Sequence, residues 1–417
     1  MKSIKVHSPI LLLILCVTYV VYGKLLSAPF WSPIDLQILR EAHQLSLDPW
    51  PMFQHIGTYL NQPALQVSFL VEFYLFCDNP AGYLGVNLFI HCLNAFMVYM
   101  LVNMLFHQAR MATLAAILFA LAVGSYGKIF MSVANFEALL LSHLYLLVLY
   151  CLIRNDFRHD GRLGSPYFLL GLALFGLASL TRATSFSILG CLLAYKFFFY
   201  KERGGRAVLS RNILVLLGVG IVFYAAQSKW GNQAPVLFGH TDSPLVFTWI
   251  SFKNIFRYLN LMVFPMQTSA MLATAHPLVI LVYDIRTYIR MFLTLTMVSY
   301  SFFGIVFGSR AVRFFIAWTI ISLLPFTGVS SSGEWLNVTH LYLASIGFCL
   351  ILAAGAMGCF NLLKARRWRR FVPFLVPLLY AILAVGITDN IDERNRRAGQ
   401  APAIQEQVAD LSRICRR

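Results

Sequence analysis

Asp35 is the first acidic residue of a 417-residue chain that carries 17 acids against 33 lysines and arginines. It stands in APFWSPIDL (28–36), directly behind the first long apolar run. A carboxylate there can take the proton of an acceptor hydroxyl. The alternative is that it favours the N terminus of a helix begun by Ser32-Pro33. Glu137, in SVANFEALL (132–140), is a second acid at the mouth of an apolar segment, where an unpaired charge is costly. Its alternative is an ion pair with Lys128 across a short loop. Glu41, Glu72 and Glu334 read as interface residues.

The cations complete this set. Lys253 and Arg257 are four residues apart, as are Arg286 and Arg290. Like charges at that spacing repel along a helix face, so each pair calls for an anion, either a bound phosphate or head groups reached by snorkelling. Arg182, in SLTRATS (179–185), lies between two apolar runs and calls for a phosphate or a structural partner. His340 is a further phosphate contact, and His55 and Tyr59 are contacts on the acceptor side. A base beside cations that hold a departing phosphate makes up the machinery of group transfer from a phosphate ester. His91, alone among apolar residues, reads as a hydrogen-bonded structural histidine.

Such residues need a scaffold, and the composition says which kind. Hydrophobic residues make up 59% of the chain and charged residues 12%, and the mean hydropathy is +0.70. A water-soluble domain of this length lacks enough charge at those values to cover its surface. Apolar runs of roughly 17–25 residues are the length of transmembrane helices. The expectation is an all-α polytopic membrane protein with about eleven spans, near 8–26, 83–106, 111–129, 132–153, 165–181, 183–200, 211–227, 287–308, 311–329, 340–361 and 370–388. Basic short loops at 154–162, 201–206, 308–313 and 364–370 face inside by the positive-inside rule. That leaves long outer loops at 27–82 and 228–286, with amphipathic interfacial helices, and a short polar outer tail at 389–417. Residues 1–388 form the transmembrane domain. The net charge of +16 is a topology signal and a contact to anionic lipid, not a nucleic-acid footprint.

The first 26 residues read as an uncleaved helix, because no small-x-small site follows the apolar run. The eight cysteines are scattered without a CxxC, which argues against a zinc site or a disulfide framework. Cys77 and Cys415 are the two that share the outer side, and a bridge between them is not expected. The sequon Asn337-Val338-Thr339 matters only in a secretory-pathway host.

Four stretches carry a family resemblance. PAGYLGVNLFIHCLNA (80–95) has an Asn-Leu-x-x-His-x-x-Asn-Ala pattern through Asn87, Leu88, His91, Asn94 and Ala95. It is followed by LAAILFALAVGSYGKIFMSVANFEALLLS (114–142), LLPFTGV (323–329) and THLYLASIGFCL (339–350). In order, they resemble segments of the GT-C superfamily of membrane glycosyltransferases. The closest branch is that of the protein O-mannosyltransferase-like and TPR-bearing O-mannosyltransferase-like enzymes and their bacterial relatives. The resemblance implies a sugar donor on polyprenyl or dolichyl phosphate, used at the outer membrane face, and an essential acid in the first loop. Asp35 falls at that acid's place. The family's usual acidic pair is a single residue in this chain, flanked by Ile34 and Leu36, and the late motif's Arg, Tyr and Pro are Thr339, His340 and Ala344.

With no GxGxxG and no P-loop to grip a nucleotide, a lipid-borne donor fits better than a nucleotide sugar. The expected function is an inverting glycosyltransferase with Asp35 as base and Glu137 as second acid. Alternatives are a lipid-linked glycan polymerase or ligase, a lipid-linked sugar flippase, and an inactive scaffold. The expected partners are a polyprenyl-phosphate-linked sugar, membrane lipids and an acceptor protein or glycan, without nucleic acid, cofactor or metal. The expected location is a bacterial inner membrane with the site on the periplasmic face; the endoplasmic reticulum membrane is the alternative.

Overall fold

The computed structural model describes residues 2–30, 32–48, 63–122, 129–199, 211–230, 244–263, 304–327, 338–362 and 371–416, with isolated positions between 292 and 302. Among these residues the chain is helical and forms no strand. Helices are the expected solution for a chain in lipid, where every backbone amide must find its partner within its own segment.

The helices run in chain order as α1 (Lys2–Tyr22), α2 (Pro33–Leu47), α3 (Pro63–Phe76), α4 (Pro80–Phe106), α5 (Ala109–Leu121), α6 (Phe136–His159) and α7 (Pro166–Thr181). They continue as α8 (Ser187–Phe199), α9 (Arg211–Trp230), α10 (Pro244–Val263), α11 (Arg310–Leu323), α12 (Leu341–Leu362), α13 (Val372–Gly399) and α14 (Pro402–Cys415). Four stretches are long and apolar enough to cross a membrane: His7–Ser27, Pro80–Phe106, Val133–His159 and Leu341–Gly358. The protein is therefore an integral membrane protein. Ala109–Leu121 and Pro166–Thr181 are shorter apolar helices, whose 13–16 residues at 1.5 Å each rise roughly 20–24 Å against a hydrocarbon core of about 30 Å. The described residues thus show four such membrane-length stretches and do not confirm the expected count of about eleven.

Local starts follow the sequence. Asn79 accepts from the Ala81 amide ahead of Pro80, and Ser165 accepts from the Phe168 amide ahead of Pro166, both at 3.1 Å, which places Pro at the first helical position where its missing N–H costs nothing. Ser32 sits at the N-cap of α2 but makes no capping hydrogen bond. Helices α11 and α12 cross closely at Gly347, where a Cβ would clash with the Phe315 carbonyl oxygen. Small residues at such crossings let packing replace the hydrophobic effect, which is absent between helices in lipid. Trp318, fully buried at this crossing, donates from its indole to the Leu343 carbonyl at 3.0 Å.

A second, smaller core forms where the connections of the expected outer side gather. Leu36, Leu39, Phe69, Phe73, Tyr83, Phe136, Ile404 and Leu411 pack together there. Cys77 and Cys415 form a disulfide across this layer, 338 residues apart in sequence, which corrects the expectation of no bridge. Scattered spacing says nothing about proximity, because α3 and α14 meet only once the intervening helices have folded. Reduction, or Cys415→Ser, is expected to remove about 2–4 kcal/mol of restraint. The readout is trypsin cleavage at Arg396 and Arg397, which should become fast on reduction while α4–α7 stay intact. Equal protection with and without reductant would show that α14 is held by its packing alone.

Candidate active site

The site is assembled at the entry to α6. The backbone before it runs through Ser132 and a short 3-10 turn, Val133–Asn135, and α4 holds that stretch from below. Asn87 donates to the Ser132 carbonyl at 3.1 Å. One and two turns further along α4, His91 and Asn94 reach Tyr342 of α12, with His91 Nδ1 and the Tyr342 hydroxyl 2.7 Å apart and Asn94 donating to that hydroxyl at 3.1 Å. Asn94 also donates to the Leu139 carbonyl at 3.0 Å. Positions 87, 91 and 94 follow helical spacing, so the Asn-Leu-x-x-His-x-x-Asn pattern is one hydrogen-bonding stripe that fixes α4 to α6 and α12. His91 is a structural residue, as its lone apolar setting indicates.

Asp35 closes this scaffold from above. It is only 1% exposed. Its Oδ1 accepts from the Ser132 hydroxyl at 2.6 Å and from the Ala134 amide at 3.1 Å. The carboxylate therefore serves the start of α6 rather than the start of its own helix. Burial pushes its pKa up to about 6, opposed by the hydrogen bonds from Ser132, Ala134 and the Val133 backbone, which favour the ionised form.

In the first turn of α6, Glu137 points to Arg182, with Oε1 and Nη1 3.3 Å apart. Glu137 is 5% exposed, and this oxygen has the ion pair but no hydrogen bond. Two expected site residues thus meet each other, and Arg182 takes the place that the sequence reading offered to Lys128, which lies outside the described residues. Arg182 also lies over the Phe326 ring, 5.8 Å from its centre. Phe326 stacks on His340 at 4.0 Å, and His340 Nδ1 shares a 3.0 Å hydrogen bond with the Tyr258 hydroxyl of α10. Arg182, Phe326 and His340 line a cleft whose other walls carry the hydroxyls of Ser142, Tyr145, Thr184, Ser187, Ser322 and Thr339. The open space is about 30 Å³, room for a water molecule but not for a sugar. Asp35 does not line this cleft.

The remaining expectations part ways. Lys253 and Arg257 are exposed on α10, on the face opposite Asn254 and Tyr258, which are buried; the structure does not bring them to Arg182. His55, Tyr59, Arg286, Arg290 and Glu334 lie outside the described residues, as does Asn337 of the sequon. Glu72 is a correction to the interface reading: it is 6% exposed, and burial pushes it up to about 8. Phe326 and Tyr258 escaped notice as single residues, although Phe326 belongs to the LLPFTGV motif, where the Pro325 turn sets it between Arg182 and His340.

No protein-family model matches the chain, and no curated protein is similar to it in sequence. Solved structures are similar to it in fold. The Archaeoglobus fulgidus oligosaccharyltransferase in its apo form has a TM-score of 0.54 at 15% identity, over 94% of this chain and 56% of that one. The same enzyme tethered to an acceptor peptide containing the NVT sequon gives 0.53 at 16% identity, over 96% and 58%. Its complex with Zn and sulfate gives 0.53 at 15%, over 93% and 53%. The chain spans little more than half the length of that protein. Among the described residues no three His, Cys, Asp or Glu side chains gather to hold a metal ion. The likeness gives no support to the O-mannosyltransferase-like branch. What it shows is a fold: this chain is built as that oligosaccharyltransferase is built, in the part the two share.

Proposed function

We propose that the protein is an inverting glycosyltransferase that moves a sugar from a polyprenyl-phosphate donor to an acceptor hydroxyl at the outer membrane face. The observation that carries this reading is the convergence of Arg182, held by Glu137, with Phe326 and His340 on one cleft in a GT-C-like fold. Arg182 holds the donor phosphate, and with so little room it does so by turning away from Glu137. Asp35 takes the acceptor proton as the acceptor oxygen attacks the anomeric carbon. The bond from that carbon to the phosphate oxygen breaks, and the phosphate leaves with the electron pair, its charge met by the guanidinium. A pKa of about 6 leaves Asp35 ionised at neutral pH yet basic enough to accept a proton in the transition state. The disulfide supports an oxidising compartment on this side, as in a bacterial periplasm or the lumen of the endoplasmic reticulum.

A second reading keeps the enzyme and changes the donor. The structural neighbours are named oligosaccharyltransferases, which favours a lipid-linked oligosaccharide over a single sugar. The test supplies membranes holding the protein with radiolabelled polyprenyl-phosphate hexose, or with a labelled polyprenyl-linked oligosaccharide, and follows label into an acceptor. Transfer from the hexose donor supports the first reading and transfer from the oligosaccharide alone the second. Label crossing the bilayer still attached to its lipid would replace both with a flippase.

A further inference from the structure

The outward face of α10 has no place in the transfer chemistry described above. Trp249, Phe252 and Phe256 stand 67%, 54% and 38% exposed along it, with ring centres 6.3 Å apart between the first two and 4.8 Å between the last two. Lys253 and Arg257 lie on the same side, one turn apart and exposed. The helix contains no acid, and among the described residues neither cation pairs with one. The opposite side packs on the bundle: Asn254 donates to the Thr327 carbonyl at 2.9 Å, Tyr258 meets His340, and Leu261 and Met262 join the main core. The anchors at Thr327 and His340 place the helix at the same end of the bundle as the cleft, where the membrane surface lies on the outer-face reading.

We propose that this face is a binding site for anionic phospholipid head groups of the outer leaflet. The rings enter the boundary between head groups and acyl chains, where amphipathic aromatic side chains favour partition. Lys253 and Arg257 cannot neutralise each other, so their charge is met by lipid phosphates that the rings bring within reach. The site goes beyond the transferase reading and depends only on the location of α10 at the membrane surface. Since the two sides of one helix serve lipid and His340, bound lipid also fixes one wall of the cleft.

The test is tryptophan quenching in vesicles, which reads lipid contact without any transfer activity. The full-length protein is reconstituted in phosphatidylcholine containing brominated phosphatidylglycerol, or in brominated phosphatidylcholine alone, and the quenching lost in Trp249→Phe is assigned to that ring. Two cations near the surface should concentrate the anionic lipid on the order of tenfold, so Trp249 should be quenched more strongly by it at equal bromine content. That excess should vanish in Lys253→Gln/Arg257→Gln and at high salt. Both residues are exposed, and unchanged melting of the double variant checks that it folds. Equal quenching by the two lipids would overturn the anionic site, and no quenching by either would overturn the location at the membrane surface. Displacement of the brominated lipid by polyprenyl phosphate, but not by unlabelled phosphatidylglycerol, would overturn it too, assigning the face to the donor.

Discussion

Asp35→Asn is expected to lower transfer by about 10²–10⁴-fold, the usual worth of a positioned general base, while the fold stays intact. Asparagine keeps the Oδ1 acceptor that Ser132 and Ala134 use, so the entry to α6 retains its hydrogen bonds. Asp35→Ala removes base and acceptor together. It leaves a buried hydroxyl and amide unsatisfied, at about 1–3 kcal/mol, and is expected to lower the melting temperature as well as the activity. The pair of variants separates chemistry from bracing, which a single alanine would confound. In the wild type, kcat/KM should fall about tenfold per pH unit below roughly pH 6, because protonated Asp35 cannot accept the acceptor's proton. The measurement is labelled-sugar transfer in membranes across pH 5–8, with melting followed in detergent. Transfer by Asp35→Asn at the wild-type rate would make Asp35 a brace and return the base to Glu137.

Arg182→Ala carries the second large effect, and it acts on stability and activity together. Glu137 is 5% exposed, and Arg182 is its only ion-pair partner among the described residues. Removing the guanidinium strands a buried carboxylate, expected to cost about 3 kcal/mol. Adding Glu137→Gln should recover most of that loss, since the uncompensated charge is gone, and the difference gives a coupling of about 1–3 kcal/mol in a double-mutant cycle. Activity should not follow stability. The double variant still lacks the cation that meets the leaving phosphate and should transfer no better than Arg182→Ala, whereas Glu137→Gln alone frees Arg182 and should keep transfer. Arg182→Lys tests the geometry, because an ammonium offers charge without the planar fork. If the double variant regained both stability and transfer, Arg182 would be a structural partner and nothing more.

Single side chains show where sequence reasoning reached and where it stopped. The role of His91 is legible because a lone histidine in an apolar helix needs a hydrogen-bond partner, whereas the ladder it forms with Asn87 and Asn94 between α4, α6 and α12 emerges only in the structure. The cost of Glu137 and Arg182 at the ends of apolar runs was legible too, since a charge beside lipid needs a partner wherever it falls. That they were each other's partner was not, because 45 residues and α6–α7 separate them, and only the packing of those helices closes the gap to 3.3 Å. Charge and spacing alone leave Lys253 and Arg257 to a bound phosphate or to head groups, while the rotation of α10 turns Tyr258 inward and the cations outward.

The sequence by itself determined a helical membrane protein with Asp35, Glu137 and Arg182 near the ends of its apolar runs. These are consequences of hydropathy and charge, which depend on residue type and spacing along one segment. The tertiary structure alone decided that Asp35 braces α6, that Phe326 stacks between Arg182 and His340, and that Cys77 meets Cys415. Each of those contacts joins segments distant in the chain, and its free energy exists only after helices that carry no trace of it in their own sequence have packed.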